Sequence, residues 1–185
     1  MRIISGIYKG RKLFEPLDKK TRPLKDIVKE SIFNLIQHSS DIKINLLNSN
    51  ILDCFSGCGS FGIECLSRGS TMVDFVEDYQ LSISILEKNV NYFKLNDKSK
   101  IFKMSTENFF LNNLQNKKYD IIFFDPPFKY YHIKNLLLNV IEKKILKEKS
   151  LIILHRHKNS KDEIPQLIKI LKIKNYGSSK IIFMN

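Results

Sequence analysis

From Asn50 onward, short apolar runs and helix-period patterns take turns along the chain. This alternation limits the fold more than any other feature. Residues 51–55 form an apolar run that ends in a glycine loop, and a helix over 61–68 stops near Gly69. Met72–Glu77 is a second strand, and Leu81, Ile85, Leu86 and Val90 mark the long helix after it. Residues 101–104, 106–114, Tyr119–Phe124, 133–146 and 151–155 continue as strand, helix, strand, helix and strand. Tyr119–Phe124 is almost wholly apolar, as in a strand covered on both faces at the middle of a parallel sheet. Residues 168–173 and 180–183, around Asn175-Tyr176-Gly177-Ser178, predict a closing antiparallel hairpin, although helical spacing competes over 166–173. Such a series gives an α/β fold with helices on both faces of a mixed sheet.

Upstream, Arg2-Ile3-Ile4-Ser5 and Gly10-Arg11-Lys12-Leu13-Phe14 predict two short strands around a turn over residues 6–9. Thr21-Arg22-Pro23 opens a helix, since proline fits the first turn. Val28, Ile32, Leu35 and Ile36 recur at helical spacing as its buried stripe, and residues 39–49 make a polar connection. No apolar run approaches the ~20 residues of a membrane span, and the start lacks the long apolar stretch of a signal peptide. A soluble, cytoplasmic protein with no membrane partner is expected. Cys54, Cys58 and Cys65 are an odd number crowded into one stretch, so reduced packing residues are expected there, with neither a disulfide framework nor a metal site.

The net charge of +12 is unevenly spread. Residues 1–30 carry nine basic against four acidic side chains, and residues 129–185 carry thirteen against four. Residues 31–128 carry nine against eleven. A slightly acidic middle between basic flanks suits a small-molecule site at the centre and a polyanion gripped from both ends.

In sheets of this class, ligands bind beyond the carboxyl ends of the strands where the strand order reverses. The informative residues are therefore those that end strands. Asp53-Cys54-Phe55-Ser56-Gly57-Cys58-Gly59-Ser60-Phe61-Gly62 joins the first strand to its helix, and Glu77 ends the next strand, 20 residues after Gly57. Glycines let the backbone approach a ligand, and the helix start offers unpaired N–H donors. Glu77 is placed to accept both hydroxyls of a ribose. Gly57-x-Gly59-x-x-Gly62 also spells the dinucleotide fingerprint. Asp53 separates the two: a carboxylate facing the loop repels a pyrophosphate and attracts an amino acid's ammonium group. That favours S-adenosylmethionine (SAM) over NAD, and a methyltransferase over a dehydrogenase.

Asp125-Pro126-Pro127-Phe128 ends the fourth strand, beside the first. The exocyclic amine of a nucleobase is a poor nucleophile because its lone pair is delocalised into the ring. The Asp125 carboxylate and the Pro126 carbonyl, placed on its two hydrogens, favour a pyramidal and more nucleophilic nitrogen. The prolines stiffen the loop, and Phe128 offers a face on which a base can stack.

With both loops placed, the chain resembles class I SAM-dependent methyltransferases. More closely, it is similar to the bacterial 16S rRNA (guanine(966)-N(2))-methyltransferase family. The resemblance covers residues 1 to about 130. It is carried by Arg2-Ile3-Ile4-Ser5-Gly6 with Lys9-Gly10-Arg11, by Arg22-Pro23 with Asp26, and by Val28-Lys29-Glu30 with Phe33-Asn34. It continues through Leu52-Asp53 to Gly62, Leu66-Ser67-Arg68-Gly69, Phe75-Val76-Glu77 and the Asp125 loop. Glycine loops and D-P-P-F occur in many methyltransferases, whereas the N-terminal motifs are more particular to this family.

The resemblance implies a Rossmann-like seven-stranded mixed sheet in the order 3-2-1-4-5-7-6, with an N-terminal β-hairpin and helix extension. Residues 1–40 would be a basic RNA-contacting extension, and residues 41–185 the SAM-binding catalytic domain. It implies cofactor contacts from Asp53, Phe55, Ser56, Gly57, Gly59, Glu77 and Asp125, with Ser105 near the adenine. Asp125, Pro126, Pro127 and Phe128 would carry the chemistry, yielding S-adenosylhomocysteine. Arg2, Lys9, Arg11, Lys12, Arg22 and Lys25 would meet ribosomal RNA, in the small subunit or an assembly intermediate, and the enzyme would act as a monomer. Leu24-Lys25 stands where the family usually has two threonines, and Ile27 where it favours arginine. His155-Arg156-His157 replaces a common acidic residue after the fifth strand, as a bare surface loop or a local basic patch. The rival readings are an adenine-N6 methyltransferase of DNA or RNA, a protein-glutamine methyltransferase, and an inactive SAM-fold assembly factor.

Overall fold

The computed structural model describes residues 1–16, 24–112 and 117–185. Seven strands form one sheet: β1 (Asn50–Cys54), β2 (Met72–Glu77), β3 (Ser99–Lys103), β4 (Tyr119–Phe124), β5 (Leu146–His157), β6 (Ile170–Tyr176) and β7 (Ser179–Met184). Their order is β3-β2-β1-β4-β5-β7-β6. The first five are parallel, and β7 runs antiparallel between β5 and β6. The order reverses at β1, which pairs with β2 on one side and β4 on the other, so the carboxyl ends of β1 and β4 open one crevice.

Alternation along the central strands divides the interior. Ile121 and Phe123 of β4 join Ile51 on one face, over α1 (Asp26–His38), α2 (Ser60–Ser67) and α3 (Gln80–Tyr92). Ile122 and Phe124 join Leu52 and Cys54 on the other, over α4 (Thr106–Asn112) and α5 (Ile133–Glu142). Gly62 is what lets α2 lie so close: an added Cβ would stand 2.4 Å from the Phe75 ring. No described helix is long and apolar enough to cross a membrane.

The N-terminal segment belongs to the same core, with Ile3 and Leu13 buried against α1 and α2. Its antiparallel return is narrowed to one bridge, Arg2 with Lys12. The reason is that neighbouring donors are used elsewhere. The N–H groups of Ile4 and Ser5 donate to the Glu64 carboxylate at 2.7 and 2.9 Å. Those of Ile7 and Tyr8 donate to the Ser67 carbonyl and hydroxyl at 2.9 and 3.0 Å. Gly6 permits this approach: at φ 83° its added Cβ would sit 1.9 Å from the Ser67 carbonyl oxygen.

Several local expectations shift. The helix opening at Thr21-Arg22-Pro23 lies outside the described residues, and α1 is described from Asp26. Its buried face includes Lys29 and Phe33 while Leu35 is half-buried, because Phe33 stacks on Phe61 of α2 at 5.3 Å. Ile42 and Leu46 are buried, so the 39–49 connection covers the core. In α3, Ile83 is buried and Leu81 is exposed. α5 stops at Glu142 because Lys144 adopts φ 50°, and β5 is correspondingly longer than the apolar run over 151–155. In the closing hairpin Tyr176 pairs with Ser179 across a two-residue turn.

Candidate active site

A cavity of about 360 Å³ opens where β1, β2, β4 and β5 end. Asp53, Phe55, Ser56, Gly57, Glu77 and the whole Asp125–Phe128 loop line it. Pro16 and Leu24 line it too, so the N-terminal segment reaches the crevice. Gly59 and Ser105 are not among the lining residues. Gly59 begins α2 at φ 83°, where an added Cβ would lie 2.4 Å from Leu86. Ser105 caps α4, its hydroxyl accepting the Asn108 N–H at 3.3 Å.

Asp53 is 1% exposed. One carboxylate oxygen accepts the Gly62 N–H at 2.9 Å, near the start of α2. The other, Oδ1, is buried and has no partner among the described residues. Burial pushes this carboxyl well above its ordinary range, Gly62 opposes that, and the charges of Asp125 and Glu77 add to it. An unpaired buried acceptor costs roughly 1–3 kcal/mol, and more when charged, so the site is built for a donor that arrives with a ligand. A cationic ammonium satisfies both the lone pair and the charge.

Glu77 accepts the Gly57 N–H at 2.7 Å and the Tyr79 N–H at 2.9 Å, which ties the ends of β1 and β2 together. Its carboxyl is raised by burial, against those two bonds. A carboxylate has about four acceptor positions, so Glu77 keeps capacity for a donor from a ligand. Phe55 adopts φ 58°, a strained conformation for an aromatic residue of the kind that gathers at ligand sites.

The Asp125 loop is held from several sides. The Asp125 N–H donates to the Cys54 carbonyl at 3.3 Å, which extends the pairing of β1 and β4 by one step. The Pro127 carbonyl accepts the Tyr130 N–H at 2.8 Å and Arg156 Nη1 at 3.0 Å. Arg156 also donates through Nη2 to the Tyr130 carbonyl at 2.7 Å, and through Nε to Asp162 at 2.9 Å. Among the described residues nothing donates to the Pro126 carbonyl, which stays available as an acceptor. Asp125 Oδ1 lies 2.7 Å from His155 Nδ1.

His155-Arg156-His157 is therefore neither a surface loop nor a patch. It is the end of β5, with His155 6% and Arg156 2% exposed. The two residues alternate: His155 lines the cavity and Arg156 clamps the loop beside it. The rule that singled out Asp125, chemistry at a strand's carboxyl end, applies to both once the strand expected over 151–155 is drawn two residues longer, to His157.

The basic residues expected to meet RNA divide differently. Arg2, Lys9, Lys12 and Lys25 are exposed. Arg11 lies over the rings of Tyr92 and Phe93 at 4.6 and 4.5 Å and donates to the Tyr92 carbonyl at 3.3 Å, so it fastens the N-terminal segment to α3. Arg22 lies outside the described residues. The three cysteines are buried thiols, and burial pushes Cys58 up to about 11.

The model of the family described as conserved hypothetical protein 95 matches residues 1–185. Ribosomal RNA small subunit methyltransferase D of Haemophilus influenzae is 30% identical, over 96% of this chain and 89% of its own length. The protein of that name from Buchnera aphidicola subsp. Acyrthosiphon pisum is 32% identical, over 89% and 82%. A solved Escherichia coli chain provisionally described as a methyltransferase superposes with a TM-score of 0.84 at 24% identity, over 100% of this chain and 96% of that one.

Proposed function

The chain belongs to the family described as conserved hypothetical protein 95, that of ribosomal RNA small subunit methyltransferase D, and on that premise we propose that it transfers a methyl group from SAM to the N2 amine of a guanine in 16S ribosomal RNA. The observation that carries this reading is the pairing of two features in one cavity. The unpartnered Asp53 oxygen lies in the cavity where Asp125, Pro126 and Phe128 converge.

When bound, SAM supplies a methyl activated by its sulfonium. Asp53 Oδ1 holds the ammonium, Glu77 holds the ribose hydroxyls, and Phe55, Ser56 and Gly57 line the approach. Asp125 and the Pro126 carbonyl accept the two amine hydrogens, and Phe128 stacks on the base. As nitrogen gains the methyl it becomes cationic and releases one proton, to Asp125 or to water. The protein's contribution is positioning and charge stabilisation. A base paired in structured RNA has to be turned out to reach this depth. Residues 1–40 form the proposed RNA-contacting extension, with Arg2, Lys9, Lys12 and Lys25 on phosphates. The ribosomal substrate puts this work in the cytoplasm.

Asp53→Asn keeps the shape and removes the charge. SAM affinity measured by calorimetry should fall about 10–100-fold, the worth of a charged hydrogen bond. Unchanged affinity would remove Asp53 from the cofactor site. Replacing Lys9 and Lys12 together by Ala should lower the slope of log affinity against log salt for ribosomal RNA by roughly 1.5, two phosphate contacts' worth. An unchanged slope would count against the N-terminal RNA site. The reading as a whole is tested by tritiated-methyl transfer from SAM onto unmodified 16S RNA, free and in assembled subunits. Incorporation in either form is expected. SAM binding with no incorporation would favour an inactive assembly factor instead.

A further inference from the structure

We propose that His155 is a positioning residue for Asp125, holding one carboxylate oxygen so that the other faces the amine; this rests on the methyl-transfer reading above. The geometry is a chain of three side chains. Asp125 Oδ1 lies 2.7 Å from His155 Nδ1, and His155 Nε2 lies 2.9 Å from the Ser179 hydroxyl. An ionised carboxylate only accepts hydrogen bonds, so Nδ1 donates. The Ser179 hydroxyl can donate to Nε2, which fixes the neutral tautomer with its hydrogen on Nδ1. Ser179 is 3% exposed and stands on β7, held there by its pairing with His157 of β5. Phe128 covers the outer side, its ring 6.1 Å from that of His155. The arrangement leaves Asp125 Oδ2, which has no partner among the described residues, to receive the amine.

The charged and titratable groups around His155 are few. Asp125 comes from the loop after β4, and Asp53 and Glu77 line the same cavity from β1 and β2. On β5, Arg156 points to Pro127, Tyr130 and Asp162, and His157 lies beyond the Phe128 ring. On β7, Lys180 is turned to the Ser160 carbonyl. Asp125 is the group that feels the imidazole directly.

His155→Asn keeps an N–H donor at the place of Nδ1, so kcat should stay close to wild type. His155→Leu removes the donor, and kcat should fall about 10–100-fold, as for other residues that orient a reacting group, while SAM affinity and the melting midpoint hold. Nitrogen NMR of the wild-type imidazole should show the Nδ1–H tautomer, and Asp125→Ala should mix the two. An active wild type whose kcat is unchanged in His155→Leu, or is not restored when leucine is replaced by asparagine, overturns the role of His155. A wild type that transfers no methyl overturns the methyl-transfer reading itself.

Discussion

Asp125→Ala is expected to lose about 10²–10⁴-fold in turnover, the range for removing a positioned proton acceptor and charge stabiliser, while SAM still binds. The substitution removes an acceptor from the amine and a partner from His155. It leaves the loop in place, because Asp125 is tied to β1 through its main-chain N–H and the loop is clamped by Arg156 on the Pro127 and Tyr130 carbonyls. Asp125→Asn offers one acceptor and one donor where two acceptors stood, so it should fall between alanine and wild type. Single-turnover transfer isolates the chemical step from RNA binding. Near-wild-type turnover by the alanine variant would remove Asp125 from the mechanism.

The second large effect concerns stability. Glu64 and Lys29 are both 0% exposed, 3.8 Å apart. Glu64 accepts from the Ile4 and Ser5 N–H groups and from Arg68 Nε, while Lys29 donates to the Arg2 carbonyl at 2.8 Å. Burial pushes the Lys29 ammonium below its ordinary value, and the Glu64 charge pulls it back. Glu64→Ala strands two N–H groups and takes away that counter-charge. Breaking a buried pair from one side costs about 3–5 kcal/mol, which lowers the melting midpoint by roughly 6–20 °C for a chain of this size. Thermal unfolding by circular dichroism checks the midpoint, and limited proteolysis should show the first residues released early. A midpoint within a degree or two of wild type would mean the network fastens nothing.

Much of this was legible because it is written in periodicity and in strand ends. The buried run Tyr119–Phe124 marked the middle of the sheet, and the carboxyl ends of β1, β2 and β4 marked Asp53, Glu77 and Asp125. What stayed hidden depends on partners distant in sequence. His155-Arg156-His157 looks solvated because three polar residues in a row suit a loop. The burial of His155 and Arg156 becomes tolerable through Asp125, Asp162 and Ser179, which the fold brings to them. Lys29 stands among apolar positions and looks like a break in a stripe until Glu64 and the Arg2 carbonyl are placed beside it. The N-terminal hairpin was legible as a return of the chain, whereas its reduction to one bridge follows from hydrogen bonds to α2, about 60 residues away. Arg11 was legible as a cation, and only the neighbouring rings show that it packs inward.

The proposed role of the loop at Asp125 is to hold the exocyclic amine of a guanine for methylation. The most direct test is to label unmodified 16S RNA with the wild-type chain and tritiated SAM, digest it to nucleosides and identify the radioactive one. N2-methylguanosine is expected from the wild type, and almost none from Asp125→Ala. Label in N6-methyladenosine, in a ring-nitrogen methyl or in a ribose methyl would contradict that role.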